Sequence, residues 1–249
     1  MGSAISLIKI SGHYLDDDVL LRQFAAAVAR RVEQLVIVHG GGIEITRMQE
    51  RLDIEPRYVD GLRITDAQSL ALVEMVLCGS VNKRLVRHLL NAGVDAQGLS
   101  GVDRGLIRAR QMEHESVDMQ FTGSVKTVRG EVLFQQLDLG VTPVIAPVSA
   151  GTDSNFNLNA DPVSGALAAA IGADSVVFIS NVSGVLAENE VVERLSELEA
   201  RALIANGTIY GGMIPKVETA LDVLSSGVPK AIITDLDGWA CDVGTTFVH

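Results

Sequence analysis

Two lysines in this chain stand where a cation has a chemical use. Lys9 interrupts the apolar run Leu7-Ile8-Lys9-Ile10 and is followed by Ser11-Gly12. A lysine inside such a strand must meet an anion, lose its proton, or reach past the strand edge to solvent. Lys216 lies in YGGMIPKVETA, shortly after Gly211-Gly212 opens a helix. Most helical lysines are simply solvated. If the two converge across the fold, they would flank a transferring phosphoryl group and stabilise its charge without a covalent intermediate. Asp161, immediately before Pro162, would orient them by ion pairing, and it also suits a helix N-cap.

Glycines supply the second element of this chemistry. Leu35 to Gly42 reads LVIVHGGG, a buried-strand pattern ending in three glycines. Glycine lets the chain turn sharply and brings main-chain N–H groups close to a ligand. A helix expected from Ile43 to Arg51 would aim its first-turn N–H groups at the same place. Glycine runs also make plain tight turns. Neither G-x-x-x-x-G-K-[ST] nor a strand–G-x-G-x-x-G–helix unit is present. Arg63, in DGLRIT, has the planar fork that grips a carboxylate, or is a surface turn charge. Asn157 and Asn159, two apart in an extended segment, would face one way and hydrogen-bond a polar substrate, or serve turn chemistry. His39 reads as a packed strand-end histidine. A carboxylate acceptor needs no general base, being ionised near neutral pH.

The elements that would position these groups alternate. Strands are expected at Leu7–Ile10, Leu35–Val38, Ala96–Ser100, Pro143–Val148, Ser175–Ile179, Lys230–Thr234 and Gly244–Val248. Helices are expected at Asp16–Arg31, Asp66–Cys78, Val81–Asn91 (broken from its predecessor near Gly79), Pro162–Ile171, Ser196–Asn206 and Gly212–Leu224. Gly105 to Gln136 reads as a β-hairpin insertion and Ser154 to Asp161 as a loop. This alternation predicts an α/β fold, a three-layer αβα sandwich with a mainly parallel central sheet. A lobe boundary is expected between Ala150 and Asn159, giving lobes 1–150 and 151–249.

Composition limits the function. The 249 residues are 47% hydrophobic and 4% aromatic, with a net charge of −11. That charge argues against nucleic acid as a general partner. No 18-residue apolar run suggests a membrane span, and no signal-peptide layout is visible. Cys78 and Cys241 stand in no metal or redox spacing, and a cytoplasmic location is expected.

Taken in order, KISG at Lys9 to Gly12, VHGGG at Val38 to Gly42, DGLRIT at Asp60 to Thr65, NLNAD at Asn157 to Asp161 and GGMIPKV at Gly211 to Val217 resemble the amino acid kinase family. The likeness is greatest to its members that act on N-acetylglutamate in arginine synthesis. VLCGSVNKRLV and GLSGVD, beginning at Val76 and Gly98, extend it over nearly the whole chain. The resemblance implies ATP-dependent phosphorylation of the γ-carboxylate of N-acetyl-L-glutamate to an acyl phosphate, with Mg2+. Lys9 and Lys216 would stabilise the transferring group, organised by Asp161. Gly41, Gly42, Arg63, Asn157 and Asn159 would bind the acyl amino acid. Gly12, Asn181, Val182, Ser183, Gly184, Val185, Leu186, Thr208, Ile209, Tyr210, Gly211 and Gly212 would bind ATP. No resident protein metal site is implied. A homodimer insensitive to arginine is expected, because the first strand begins within the first few residues and leaves no room for an extra N-terminal helix.

The chain departs from the family at Ser11, where a glycine is usual, and at Asn181, where an aspartate is usual. The latter and CGSVNKRLV also resemble related kinases whose glutamate or aminoadipate is attached to a small acidic carrier protein. Arg104, Arg108, Arg110, Lys126 and Arg129 would then form a basic rim at the substrate mouth. A non-catalytic amino-acid or nucleotide sensor on the same fold is the third reading. Lys9, Lys216 and Asp161 argue against it, since a sensor needs no transition-state charges. Uridylate kinase shares KISG, yet a nucleotide acceptor calls for more basic residues.

Overall fold

A computed structural model describes residues 4–187 and 190–249. Strand β1 (Ile5–Ile10) leads through a single helical turn, α1 (Gly12–Leu15), into α2 (Asp18–Val28). β2 (Gln34–His39), α3 (Gly42–Arg51) and the hairpin β3 (Arg57–Val59) and β4 (Leu62–Ile64) follow. Next come α4 (Ala67–Glu74), α5 (Asn82–Asn91), β5 (Ala96–Ser100), β6 (Ile107–Gln111), β7 (Thr122–Val128) and α6 (Glu131–Leu137). β8 (Thr142–Ala146), β9 (Val148–Ala150), β10 (Asn155–Leu158), α7 (Ala160–Ala170) and β11 (Ser175–Ile179) complete the middle of the chain. Then come β12 (Leu186–Ala187), β13 (Glu190–Val191), β14 (Arg194–Ser196), α8 (Glu197–Ala205), α9 (Met213–Ser225), β15 (Lys230–Thr234), α10 (Leu236–Ala240) and β16 (Thr245–Val248).

The main sheet has eight strands in the order β14-β16-β15-β11-β1-β2-β8-β5. From β15 to β5 every neighbouring pair is parallel, and β16 joins β15 antiparallel. The central strands are apolar on both faces because helices cover both faces. Side-chain parity sorts the core. Leu7, Val36, Val38, Val176 and Phe178 pack with Val163 and Leu167 of α7 and Val217 and Leu221 of α9. Ile8, Ile10, Ile37, Val177 and Ile179 pack on the other face with Phe24, Leu72, Leu85 and Trp239. Each core draws on both halves of the chain. The three-layer α/β sandwich expected from the sequence is the fold found.

Several local expectations are corrected. The first helix is two pieces, and Asp17 caps the second by accepting from the N–H groups of Val19 and Leu20. The helices around Gly79 are not broken: Met75–Val81 continues them as a π-helical segment. The insertion holds the helix Glu131–Leu137 as well as its hairpin. Ser154 to Asp161 is not a loop. β10 pairs with β7 and β9, and together with β6 these strands close a small four-stranded barrel beside the main sheet.

Candidate active site

Lys9 shares a sheet face with Leu7, since alternate strand residues point the same way. That face carries α7 and α9. Lys9 Nζ accordingly lies 2.7 Å from Asp161 Oδ1 at the start of α7. Lys216, one turn into α9, lines a small pocket with Lys9, Asp161, Ser180 and Thr219. Burial above all, and the charge of Lys9 next, pull the Lys216 ammonium below the ordinary lysine range, while Asp161 opposes them. The two lysines therefore converge. The helix cap at this corner is Asn159, whose side-chain oxygen accepts from Asp161 N–H at 3.1 Å. Asp161 is thereby released from the capping role that the sequence left open, and its carboxylate turns to Lys9.

A cleft of about 320 Å³ opens on the other side of Lys9. Gly12, Gly40, Gly41, Gly42, Arg63, Asn157 and Asn159 line it, with Tyr58, Leu77, Met112 and Thr122. Gly41 sits at φ +153°, where a side chain is strained, and an added Cβ would stand 2.5 Å from Leu77 Cδ2. The π-helical segment carries Leu77 into that position. α3 starts at Gly42, so its unpaired first-turn N–H groups open beside the glycines. Ser11 adopts an extended conformation and donates its N–H to Ile179 O at 3.1 Å, so serine fits this turn without strain.

Arg63 donates to Gln49 Oε1, to Thr46 Oγ1 at 2.8 Å and to Gly42 O at 3.2 Å. Its guanidinium lies 4.8 Å from the centroid of the Tyr58 ring. Gln49 is fully buried and donates onward to Ser69 Oγ at 3.0 Å, so the fork is held from behind. Asn157 donates to Thr65 Oγ1 at 3.0 Å. Because the Asn159 oxygen is occupied by the cap, its amide NH₂ is left to the cleft.

Of the expected ATP-side residues, Gly12 lies after β1 and lines the glycine-walled cleft, while the others lie after β11 and before α9. Asn181, Leu186, Tyr210, Gly211 and Gly212 are exposed, and Val182, Ser183 and Thr208 are half-buried. Val185 and Ile209 are packed in the core. Val185 N–H donates to Thr245 Oγ1, its carbonyl accepts from Val192, and Ile209 N–H donates to Leu203 O. Gly184 is required by closeness: an added Cβ would meet Thr245 Oγ1 and Val191 Cγ1 at 2.7 Å. Sequence reasoning missed Tyr58, Met112, Thr122, Gln49 and Ser180. Only tertiary packing brings them to the site.

A family model described as "Amino acid kinase family" matches residues 5–235. The chain belongs to the amino acid kinase family. Among curated members of the family it is 51% identical to the acetylglutamate kinase of Roseiflexus sp. (strain RS-1) over 242 residues, 97% of this chain and 92% of that protein. It is 46% identical to the acetylglutamate kinase of Chloroflexus aurantiacus (strain J-10-fl), covering 99% of this chain and 98% of that one. Among solved structures, the smu.665 protein of Streptococcus mutans UA159 superposes with a TM-score of 0.82 at 29% identity, over 98% of each chain. Giardia carbamate kinase matches in fold, with a TM-score of 0.73 at 14% identity over 100% of this chain and 99% of that one.

None of the five basic residues expected to form a rim for a carrier-linked substrate lines the glycine-walled cleft. Arg104 donates to Gln135, while Arg129 pairs with Glu131 at 2.8 Å and donates to the Arg104 carbonyl at 2.7 Å. Arg108 reaches the Gly151 carbonyl at 3.4 Å. Arg110 and Lys126 line a separate depression that also holds Asp118 and Asp153.

Proposed function

We propose that the chain transfers the γ-phosphoryl group of ATP to the γ-carboxylate of N-acetyl-L-glutamate, giving ADP and an acyl phosphate for arginine biosynthesis. The carrying observation is that Lys9 lines both the glycine-walled cleft and the small pocket holding Asp161 and Lys216. One cation thus touches the acceptor's space and the donor's space. A carboxylate oxygen attacks the γ-phosphorus, the bond to the β-phosphate oxygen breaks, and ADP departs with that electron pair. Lys9 and Lys216 neutralise the charge spreading over the transferring oxygens, and Asp161 keeps the two ammonium groups together before the anion arrives. Main-chain N–H groups at Gly41, Gly42 and Gly12 complete the cradle.

Arg63 takes the α-carboxylate, with Asn157 and Asn159 binding the remaining polar groups. Asn181–Leu186 and Thr208–Gly212 frame the nucleotide, Val185 and Ile209 acting as core anchors for their neighbours. Residues 1–150 form the acyl-amino-acid lobe and 151–249 the ATP lobe. Mg2+ would arrive with the triphosphate, bridging its oxygens. Among the described residues no helix is long and apolar enough to cross a membrane. A cytoplasmic homodimer is the assembly proposed.

The test is ATP turnover with N-acetyl-L-glutamate, N-acetylaminoadipate, glutamate and UMP side by side. Turnover is expected with the first. Activity confined to another acceptor, or absent with all four, refutes the proposal.

A further inference from the structure

His39 ends β2, is fully buried, and has no part in the phosphoryl transfer described above. Its ring is nevertheless tied to the glycine turn. Nδ1 lies 2.8 Å from the carbonyl oxygen of Gly40, and Nε2 lies 3.1 Å from Asn82 Nδ2. Asn82 is buried as well and opens α5, directly after the π-helical segment. Its amide nitrogen also donates to Val144 O at 2.9 Å, and its oxygen accepts from Lys83 Nζ at 3.1 Å. With both amide hydrogens donated, Asn82 leaves His39 Nε2 as the acceptor. Nδ1 must then carry the proton and donate it to Gly40 O.

We infer that His39 and Asn82 are positioning residues, a buried relay that fixes the Gly40–Gly41 peptide so that Gly41 N–H faces the phosphoryl cradle. A trans peptide points its C=O and N–H in opposite directions. Holding the Gly40 oxygen in the interior therefore turns Gly41 N–H the other way. That way lies the Gly12 turn: a Cβ built on Gly12 would stand 3.7 Å from Gly41 N and 3.9 Å from Gly42 N. A histidine that only filled core volume would not need its proton on one particular nitrogen. Burial above all, with the charges of Lys83 and Arg84 assisting, favours the neutral ring. This inference rests on the kinase reading of the glycine turn.

The experiment compares His39→Leu, which removes the donor, with His39→Asn, whose amide nitrogen falls near the Nδ1 position. Both are assayed for kcat and for KM of ATP and N-acetyl-L-glutamate, after circular dichroism establishes that they are folded. His39→Leu should lower kcat about 10- to 100-fold, less than the roughly 100- to 1,000-fold cost of removing an oxyanion donor outright because Gly41 N–H is misaimed and not deleted, with KM for ATP nearly unchanged. His39→Asn should recover most of it. A folded His39→Leu with normal kcat overturns the inference, as does failure of His39→Asn to recover activity. If His39→Leu does not fold, Asn82→Ala decides: lowered kcat supports the relay and normal kcat overturns it. Separately, ¹⁵N imidazole shifts of the unsubstituted protein should report His39 neutral and protonated at Nδ1. The opposite tautomer overturns the relay even if the protein turns over no N-acetyl-L-glutamate, an outcome that would by itself refute only the kinase reading.

Discussion

Acid should weaken this fold through one residue whose contribution can be worked out. Burial, the leading cause, pushes His39 down from 6.5 to about 4, with the Gly40 hydrogen bond opposing and Lys83 and Arg84 assisting. The folded state therefore holds the ring neutral, while the unfolded chain takes up a proton below pH 6.5. Stability is full above the unfolded value and is lost as the pH falls towards the folded one. Each unit of displacement corresponds to about 1.4 kcal/mol, so the loss approaches about 3 kcal/mol below pH 4 and is about 2 kcal/mol at pH 5. The assay is reversible urea unfolding at pH 7 and pH 5 for the unsubstituted protein and for His39→Asn. Carboxylate effects are common to both and cancel in the comparison. The unsubstituted protein should lose about 2 kcal/mol more than the variant between the two pH values. Equal losses refute the reasoning, because they mean that the ring is not held neutral by its surroundings.

Three further outcomes follow from the site. Asp161→Asn removes the anion that supports both lysines, so the Lys216 ammonium should lose its proton more readily; kcat should fall and the alkaline limb of its pH profile should move to lower pH. A limb that stays in place removes Asp161 from the electrostatic account. Gly41→Ala puts a methyl at φ +153° against Leu77 Cδ2, 2.5 Å away, and should raise KM for N-acetyl-L-glutamate at least tenfold, with Leu77→Ala restoring only the part due to the clash. Tyr14 donates to Ser180 O at 2.7 Å and accepts from Leu236 N–H at 3.3 Å, tying the turns after β1, β11 and β15. Tyr14→Phe should cost about 1–3 kcal/mol in unfolding experiments, since two buried main-chain groups lose their partner.

What could be read from the sequence, and what could not, divides along the range of the forces involved. The run Leu7-Ile8-Lys9-Ile10 announces a two-sided buried strand because its neighbours on both faces are apolar whatever they are. Lys9 and Lys216 stand out for the same local reason, as charges in settings that ask for an anion. The π-helical segment left no such mark, and its Gly79 suggested a break where the winding in fact continues. β10 looked like a loop because Asn155 and Asn157 are polar. In the fold their amides are donated to Glu74 Oε1 at 2.7 Å and Thr65 Oγ1 at 3.0 Å, partners far away in the chain. Asp161 suited the N-cap by its place before Pro162, yet Asn159 takes the cap and Asp161 the ion pair. Only the register of α7 assigns the cap to one and the ion pair to the other.

The placement of Lys9 has a consequence for specificity. β1 lies at the point where the sheet order runs outward both ways, to β2 on one side and β11 on the other, where open parallel sheets gather their ligands. The turns after β1 and β2 wall the glycine-lined cleft, and the turn after β11 leads to the proposed nucleotide side. Lys9, one residue from the end of this shared strand, lines both spaces, and on the proposed reading its electrostatic work would be the same for any carboxylate placed against it. Discrimination among acceptors must therefore come from elsewhere in the cleft. On the proposed reading Arg63, held by Gln49 and Thr46 with its guanidinium near the Tyr58 ring, is the second anchor, and the span from Lys9 to Arg63 would set which dicarboxylate fits. Arg63→Ala should thus raise KM for N-acetyl-L-glutamate far more than it lowers kcat, and should narrow the preference over N-acetylaminoadipate, which is one methylene longer. Measured as the ratio of kcat/KM for the two acceptors, an unchanged preference would show that length is read by some other part of the wall.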